Sequence, residues 1–147
     1  MVGTLIVTHG GLAAELLAAA EIITGGLHGF EALSLGWSEG FEEARGKIAQ
    51  SLERLDTGDG VIILTDMYGD TPSRAALSLA QPARIEVVTG VNLPMVVRLG
   101  CLSGQAMRLD VLARWLAIKG RRAIARAGEV NTAPPIGSDP ARGGSGD

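Results

Sequence analysis

The chain has 147 residues, a length typical of one domain that can bury a sizeable core. Apolar residues make up 46% of it but aromatic residues only 3%, which predicts an aliphatic core of strands buried on both faces beneath helices. The formal net charge of −3 argues against a nucleic acid or an anionic membrane as a direct partner.

Strand and helix patterns alternate along the chain. They predict, in chain order, a strand at 2–8, a helix at 12–25, a strand at 30–36, a helix at 39–56, a strand at 60–66, a helix at 71–81, a strand at 84–90, and helices at 92–102 and 104–120. In the first helix we expect a buried stripe made of Leu12, Leu16, Ala19 and Ile23. In the third helix we expect Thr71 to be the N-cap and Pro72 the first helical residue.

Four strand–helix units in series predict a three-layer α/β fold with a mainly parallel sheet in the flavodoxin-like order 2-1-3-4. The segment 121–130 has two interpretations, an extension of the last helix or a short edge strand. Residues 131–147 are rich in Pro, Gly, Ser and Asp without periodicity, which predicts a disordered tail after a domain at 1–130.

The single cysteine and the N-terminus indicate the compartment. Cys101 cannot form an internal disulfide, which fits a reducing cytoplasm, and its flanks predict a buried small apolar residue. No apolar run approaches the roughly 20 residues of a membrane span, and the N-terminus lacks a secretory signal pattern. We therefore expect a cytoplasmic protein.

Polar residues follow the first and third predicted strands, whose carboxyl ends are neighbours in this strand order. His9 follows one strand and Asp66 the other. An aspartate bonded to one ring nitrogen leaves the second nitrogen as a nucleophile, and the helix start at Thr71 offers an anion site. Together they suggest phosphoryl transfer through a phosphohistidine, without a metal or cofactor. A structural histidine and a turn-capping aspartate are an equally open interpretation of these residues.

Three segments resemble one known family. They are "IVTHGGLAAELL" at 6–17, "LTDMYGDTPSRAA" at 64–76 and "VVTGVNLPMVV" at 87–97. In this order and spacing they are similar to the mannose-family EIIA component of the bacterial phosphotransferase system (PTS). The resemblance extends over about residues 2–128.

The resemblance implies a phosphoryl carrier. His9 would take a phosphoryl group on Nε2 from the phosphocarrier protein HPr and pass it to an EIIB partner, while Asp66 would bond the other ring nitrogen. The implied phosphate-binding residues are Gly10, Gly69, Asp70 and Thr71. The family also implies a homodimer with an exchanged antiparallel strand, for which 121–130 is the candidate. Membrane contact would be indirect, through a transporter complex.

Two residues depart from the family pattern: Asp70 replaces a usual glycine, and Arg74 a frequent asparagine. A carboxylate aimed at a phosphoryl group would repel it by about 1–4 kcal/mol at about 4 Å in wet surroundings. We therefore expect the Asp70 side chain to point outward, to a partner surface or to Arg74. We expect no fused EIIB domain, and therefore a stand-alone shuttle or a regulatory protein.

Two further interpretations stay open. One is the phosphotransfer subunit of a dihydroxyacetone kinase, which has a similar domain and would use the same His9. The other is a non-catalytic flavodoxin-like binding module, although no Gly-x-Gly-x-x-Gly or P-loop follows the first strand. We expect His28 to be an exposed loop residue and Trp37 to pack on the following helix, with an edge position at a docking surface as the alternative.

Overall fold

The computed structural model describes residues 1–102 and 104–130, and these form a sheet between two helical layers. The elements are β1 (Gly3–His9), α1 (Leu12–Thr24), β2 (Phe30–Leu35), α2 (Phe41–Leu55), β3 (Val61–Thr65), α3 (Thr71–Ser78), β4 (Ile85–Thr89), α4 (Leu93–Cys101), α5 (Leu109–Arg122) and α6 (Ala127–Val130). Helices α1, α4 and α5 form one hydrophobic core with one face of the sheet, and helices α2 and α3 form a second core with the opposite face. No helix in the described ranges is both long enough and apolar enough to cross a membrane.

The four strands are all parallel and lie in the order β2-β1-β3-β4, which confirms the predicted fold. The central strands β1 and β3 are rich in Leu, Ile and Val, and both faces of these strands are buried beneath helices. Val7 of β1 pairs with Thr65 of β3. His9 at the end of β1 and Asp66 directly after β3 therefore meet at one edge of the sheet.

Helix α1 is rotated relative to the predicted stripe. Ala13 and Ala20 are fully buried against the sheet, whereas Leu12 and Ile23 are exposed. The helix is apolar nearly all round, so the spacing of its apolar residues does not determine which face is buried. The small alanine side chains let the helix backbone approach the strands closely.

Helix α3 begins and ends differently from the prediction. Its N-cap is Asp70, whose side chain accepts a hydrogen bond from the Ser73 amide, so Thr71 is the first helical residue. The helix ends at Ser78 instead of residue 81. Proline disfavours helical geometry in the residue before it, here Gln81, which begins a turn in which the Arg84 amide donates to the Gln81 carbonyl.

The structure selects the helical interpretation of 121–130 and corrects the expectation for Cys101. Residues 121–122 complete α5 and 127–130 form the short helix α6, so this segment is not an edge strand. Cys101, at the last position of α4, is exposed and not buried, because it lies on the side of the helix away from the core residues Val96 and Leu99. The predicted tail at 131–147 lies outside the described residues.

Candidate active site

The turn after β1 places His9 at the carboxyl edge of the sheet. His9 is the last residue of the strand, and its side chain is 22% exposed. Gly10 has a φ of +53°, which glycine adopts without strain, and its amide donates to the Leu35 carbonyl. The buried Thr8 hydroxyl accepts a hydrogen bond of 2.7 Å from the Ala13 amide, which ties the strand end to the first turn of α1.

Asp66 binds His9 through both the backbone and the ring. Its Oδ2 lies 2.8 Å from His9 Nδ1 and accepts the His9 backbone N–H at 3.0 Å. Its Oδ1 accepts the Met67 amide at 3.0 Å. An ionised carboxylate can only accept, so the ring proton lies on Nδ1 and the lone pair on Nε2 is free. The structure thus brings together the two residues that the sequence paired.

The side chain of Asp66 is only 13% exposed. Burial raises the pKa of Asp66, but the hydrogen bonds from the His9 backbone and ring and from the Met67 amide lower it. The hydrogen bonds prevail, and the pKa lies below its ordinary value. Asp66 is therefore ionised at neutral pH and remains an acceptor for the Nδ1 proton.

Asp70 also points towards His9, and the expectation of an outward side chain is wrong. Its Oδ2 lies 3.2 Å from His9 Nδ1, while its Oδ1 accepts the Ser73 amide at 3.3 Å. The N-cap role of Asp70 directs the carboxylate to the ring, since the start of α3 faces the end of β1. Arg74 does not meet this carboxylate in the described contacts but lies over the Phe41 ring at 5.8 Å.

Two carboxylates therefore converge on one ring nitrogen. One potential metal-ligand atom from each of His9, Asp66 and Asp70 lies within 4.8 Å of the other two. At that separation two negative charges repel by about 1–4 kcal/mol, depending on the local dielectric, and a positive charge on the ring would offset this. A divalent cation among these atoms would have to replace the Nδ1 proton, so the cluster as it stands fits a hydrogen-bonded imidazole.

Trp37 stacks on the imidazole, contrary to the expectation that it packs on the following helix. Its ring centroid lies 5.0 Å from that of His9, with an interplanar angle of 15°, and the side chain is 83% exposed. Met67 and Tyr68, which follow β3, are also exposed. Three large apolar side chains thus lie at the same edge as His9, a composition typical of protein-binding surfaces.

The family model described as "PTS system fructose IIA component" (EIIA-man) matches residues 3–113. This chain belongs to that EIIA family. The resemblance found in the three sequence motifs is thereby confirmed.

Individual EIIA proteins are similar over most of the chain. The mannose-specific EIIAB component of Escherichia coli K12 is 35% identical over 102 residues, which cover 65% of this chain and 30% of that protein. The chain thus matches about 30% of the length of this EIIAB relative. The mannose/sorbose-specific IIA subunit from Enterococcus faecalis superposes with a TM-score of 0.75 at 26% identity, covering 85% of this chain and 93% of that one.

A second solved structure agrees in fold. The EIIA component from Streptococcus agalactiae superposes with a TM-score of 0.78, covering 90% of this chain and 100% of that one. The two sequences are 20% identical, so this likeness concerns the fold alone. Together the two structures match the three-layer arrangement described above.

The expected phosphate-binding residues of this EIIA chain are arranged differently from the prediction. The Gly69 amide donates to the Ser73 hydroxyl at 2.8 Å, and the Gly10 amide bonds the Leu35 carbonyl at 2.9 Å. Neither N–H is available to a phosphate in this arrangement. Thr71 is half-buried at the start of α3, and the contacts described for residues 1–102 and 104–130 include no hydrogen bond of its hydroxyl.

Sequence reasoning missed two contacts of the site, those of Trp37 and Asp70 with the ring. Trp37 follows β2, whose carboxyl end adjoins that of β1, so the rule that pointed to Asp66 would have found Trp37 as well. Asp70 occupies a common N-cap position, one residue before Thr71 and two before Pro72. Recognising the cap would have shown that its carboxylate turns back to the Ser73 amide, but not that it also meets the His9 ring.

The site lies on an open surface. A groove of about 810 Å³ lies elsewhere, near the amino ends of the strands, and is lined by residues such as Val2, Asp59 and Leu109. None of the site residues lines that groove. His9 is thus placed at a surface with exposed apolar side chains, which suits contact with another protein better than enclosure of a small substrate.

Proposed function

We propose that residues 1–130 form a cytoplasmic EIIA domain that carries a phosphoryl group on His9 Nε2, accepting it from HPr and passing it to an EIIB partner. The observation that supports this most directly is the bond of 2.8 Å between His9 Nδ1 and Asp66 Oδ2. This bond keeps the proton on Nδ1 and leaves the Nε2 lone pair free for attack. Membership of the EIIA family gives the reaction class.

In the proposed transfer, the Nε2 lone pair forms a bond to phosphorus as the bond between phosphorus and the donor nitrogen breaks. The electron pair of the broken bond stays on the donor ring. Positive charge develops on the His9 ring, whose Nδ1 faces the carboxylates of Asp66 and Asp70. Transfer to EIIB repeats these steps, with His9 now the leaving group. Neither direction requires a metal ion.

Partner binding is proposed to use the exposed apolar side chains near His9. Trp37, Met67 and Tyr68 are exposed residues that can pack against a protein surface and exclude water from the transfer. An incoming protein donor would also hold its phosphoryl group in position, which matters because the Gly10 and Gly69 amides are already bonded.

We also propose a homodimer, as the resemblance implies. Within the described ranges β4 is an edge strand with β3 as its only partner in the sheet. An unpaired parallel edge readily accepts a strand from a second copy. The segment 121–130 does not supply that strand, because its described structure is helical where it is regular.

The test is phosphorylation in solution. The protein is incubated with phosphoenolpyruvate, enzyme I and HPr, and we expect an acid-labile, base-stable phosphate on His9. His9→Ala should abolish the label, whereas His28→Ala, which changes the exposed histidine before β2, should retain it. A label that survives His9→Ala would refute the site. A wild-type protein that stays unlabelled while HPr is phosphorylated would refute the carrier and favour a binding module.

A further inference from the structure

Asp70 places a second carboxylate at a nitrogen that has only one proton to donate. The Asp70 Oδ2 atom lies 3.2 Å from His9 Nδ1 and is fully buried, although the side chain as a whole is 17% exposed. The Nδ1 proton is already directed to Asp66 at 2.8 Å. Asp70 Oδ2 therefore has no hydrogen bond among the described residues. A buried, unpaired carboxylate oxygen is costly unless a positive charge lies beside it.

The helix cap keeps this carboxylate in place. Asp70 Oδ1 accepts the Ser73 amide, and the Asp70 carbonyl accepts the Ser73 hydroxyl. The Ser73 hydroxyl in turn accepts the Gly69 amide. The carboxylate is thus held between the start of α3 and the ring by contacts that do not involve His9.

We propose that Asp70 is a positioning residue that keeps the proton on Nδ1 after His9 is phosphorylated, so that the phosphohistidine remains ready to transfer its group. The inference rests on the proposed function. The Nε2-phosphorylated ring with a proton on Nδ1 is a cation, and two adjacent carboxylates stabilise it against loss of that proton.

The state of Nδ1 determines how easily the phosphoryl group leaves. When the bond between Nε2 and phosphorus breaks, its electron pair stays on Nε2, and the acceptor oxygen of water or the acceptor atom of a partner forms the new bond. If Nδ1 keeps its proton, the ring leaves as a neutral imidazole. If Nδ1 has lost its proton, the ring leaves as an imidazolate anion, a far poorer leaving group.

The charged groups around the His9 ring are the carboxylates of Asp66 and Asp70, to which the retention of the Nδ1 proton is attributed. Asp66 faces the ring from the end of β3 and Asp70 from the start of α3, and both contact Nδ1. Trp37, from the loop after β2, is neutral. Arg74 of α3 lies over Phe41 instead. In the described part of the chain, the ionic contacts recorded for the His9 ring are those with the two carboxylates.

The experiment measures the pH dependence of phosphohistidine hydrolysis. Untagged protein in a His28→Ala background is loaded on His9 with phosphoramidate, a small-molecule donor, so that loading needs no partner protein. Loss of phosphate is then followed from pH 5 to 9 for the parent and for Asp70→Asn. Asparagine keeps an oxygen for the Ser73 amide, and it replaces the charged oxygen beside Nδ1 by a neutral NH2 group.

We expect the hydrolysis rate to fall with rising pH, and the midpoint of that fall to lie about one pH unit lower in Asp70→Asn, which makes the variant about tenfold slower above both midpoints. Asp59→Asn, a carboxylate removed near the amino end of β3, should match the parent. Superimposable profiles for Asp70→Asn and the parent would overturn the inference.

A second variant guards against misfolding. Asp70→Ser keeps a hydroxyl oxygen for the cap but cannot reach Nδ1, and it should shift the midpoint as Asp70→Asn does. A normal profile in Asp70→Ser would overturn the inference. The outcome is separable from the proposed function: if HPr fails to label the protein while phosphoramidate does, the partner is wrong, and the profiles still decide the role of Asp70.

Discussion

Replacing Asp66 by asparagine tests the central contact of the site. In the native protein one oxygen of Asp66 accepts both the backbone amide and the ring of His9, and the other oxygen accepts the Met67 amide. An asparagine side chain offers only one acceptor oxygen. Its NH2 group must therefore face N–H donors, either those of His9 or that of Met67. If the NH2 group faces the ring, Nδ1 becomes an acceptor, the proton moves to Nε2 and the nucleophile is lost.

The magnitude follows from the type of bond. A hydrogen bond to a charged group contributes about 1.5–3 kcal/mol, against about 1 kcal/mol for a neutral pair. If asparagine loses the charged bond as positive charge develops on the ring, the barrier rises by roughly 1.5–3 kcal/mol. Since about 1.4 kcal/mol corresponds to a factor of ten, the transfer should slow by roughly 10-fold to 150-fold.

The assay is a single-turnover reaction of phospho-HPr with excess protein, stopped by rapid quenching. Asp59→Asn, which removes a carboxylate remote from the site, is the matched control. Nitrogen NMR of the imidazole gives a second measurement, because it reports which ring nitrogen holds the proton. Equal transfer rates for Asp66→Asn and wild type, with an unchanged tautomer, would refute the role given to Asp66.

Three further predictions concern stability and partner binding. The pKa of Asp66 is lowered in the folded state, so its ionised carboxylate stabilises the fold. This contribution is complete above the unfolded pKa of about 3.9 and is lost as the pH falls through the lower folded pKa. In urea unfolding, the free energy of unfolding of Asp66→Asn should therefore depend less on acid pH than that of the wild type. Ala83 has a φ of +65° in the turn after Pro82, so Ala83→Gly should raise the free energy of unfolding by about 0.5–1 kcal/mol, and a decrease would contradict strain there. Trp37→Ala should raise the KM for phospho-HPr about 2-fold to 10-fold with little change in thermal stability. In Trp37→Phe the KM should return largely to the wild-type value. An unaffected KM in Trp37→Ala would exclude Trp37 from the docking surface.

Most of the fold could be predicted from the sequence. The two central strands were predicted because each is a continuous aliphatic run. The alternation of strands and helices, with the rule on crossovers, predicted that the sheet is parallel. The predicted strand order, with the rule that sites lie at the carboxyl ends of parallel strands, placed His9 and Asp66 at neighbouring strand ends, where they do meet. The burial of α1 could not be predicted, because a helix that is apolar all round has no periodic contrast.

The amino-acid sequence by itself determined the order of the strands, the edge at which polar residues gather and the identity of the histidine and aspartate that meet there. Only the tertiary structure decided where the side chains in the connecting turns point. Asp70 faces the ring because it caps α3 against the end of β1, and Trp37 stacks on the imidazole because β2 is the neighbour of β1. Such directions depend on hydrogen bonds and contacts between residues far apart in the chain, which local patterns of hydrophobicity do not contain.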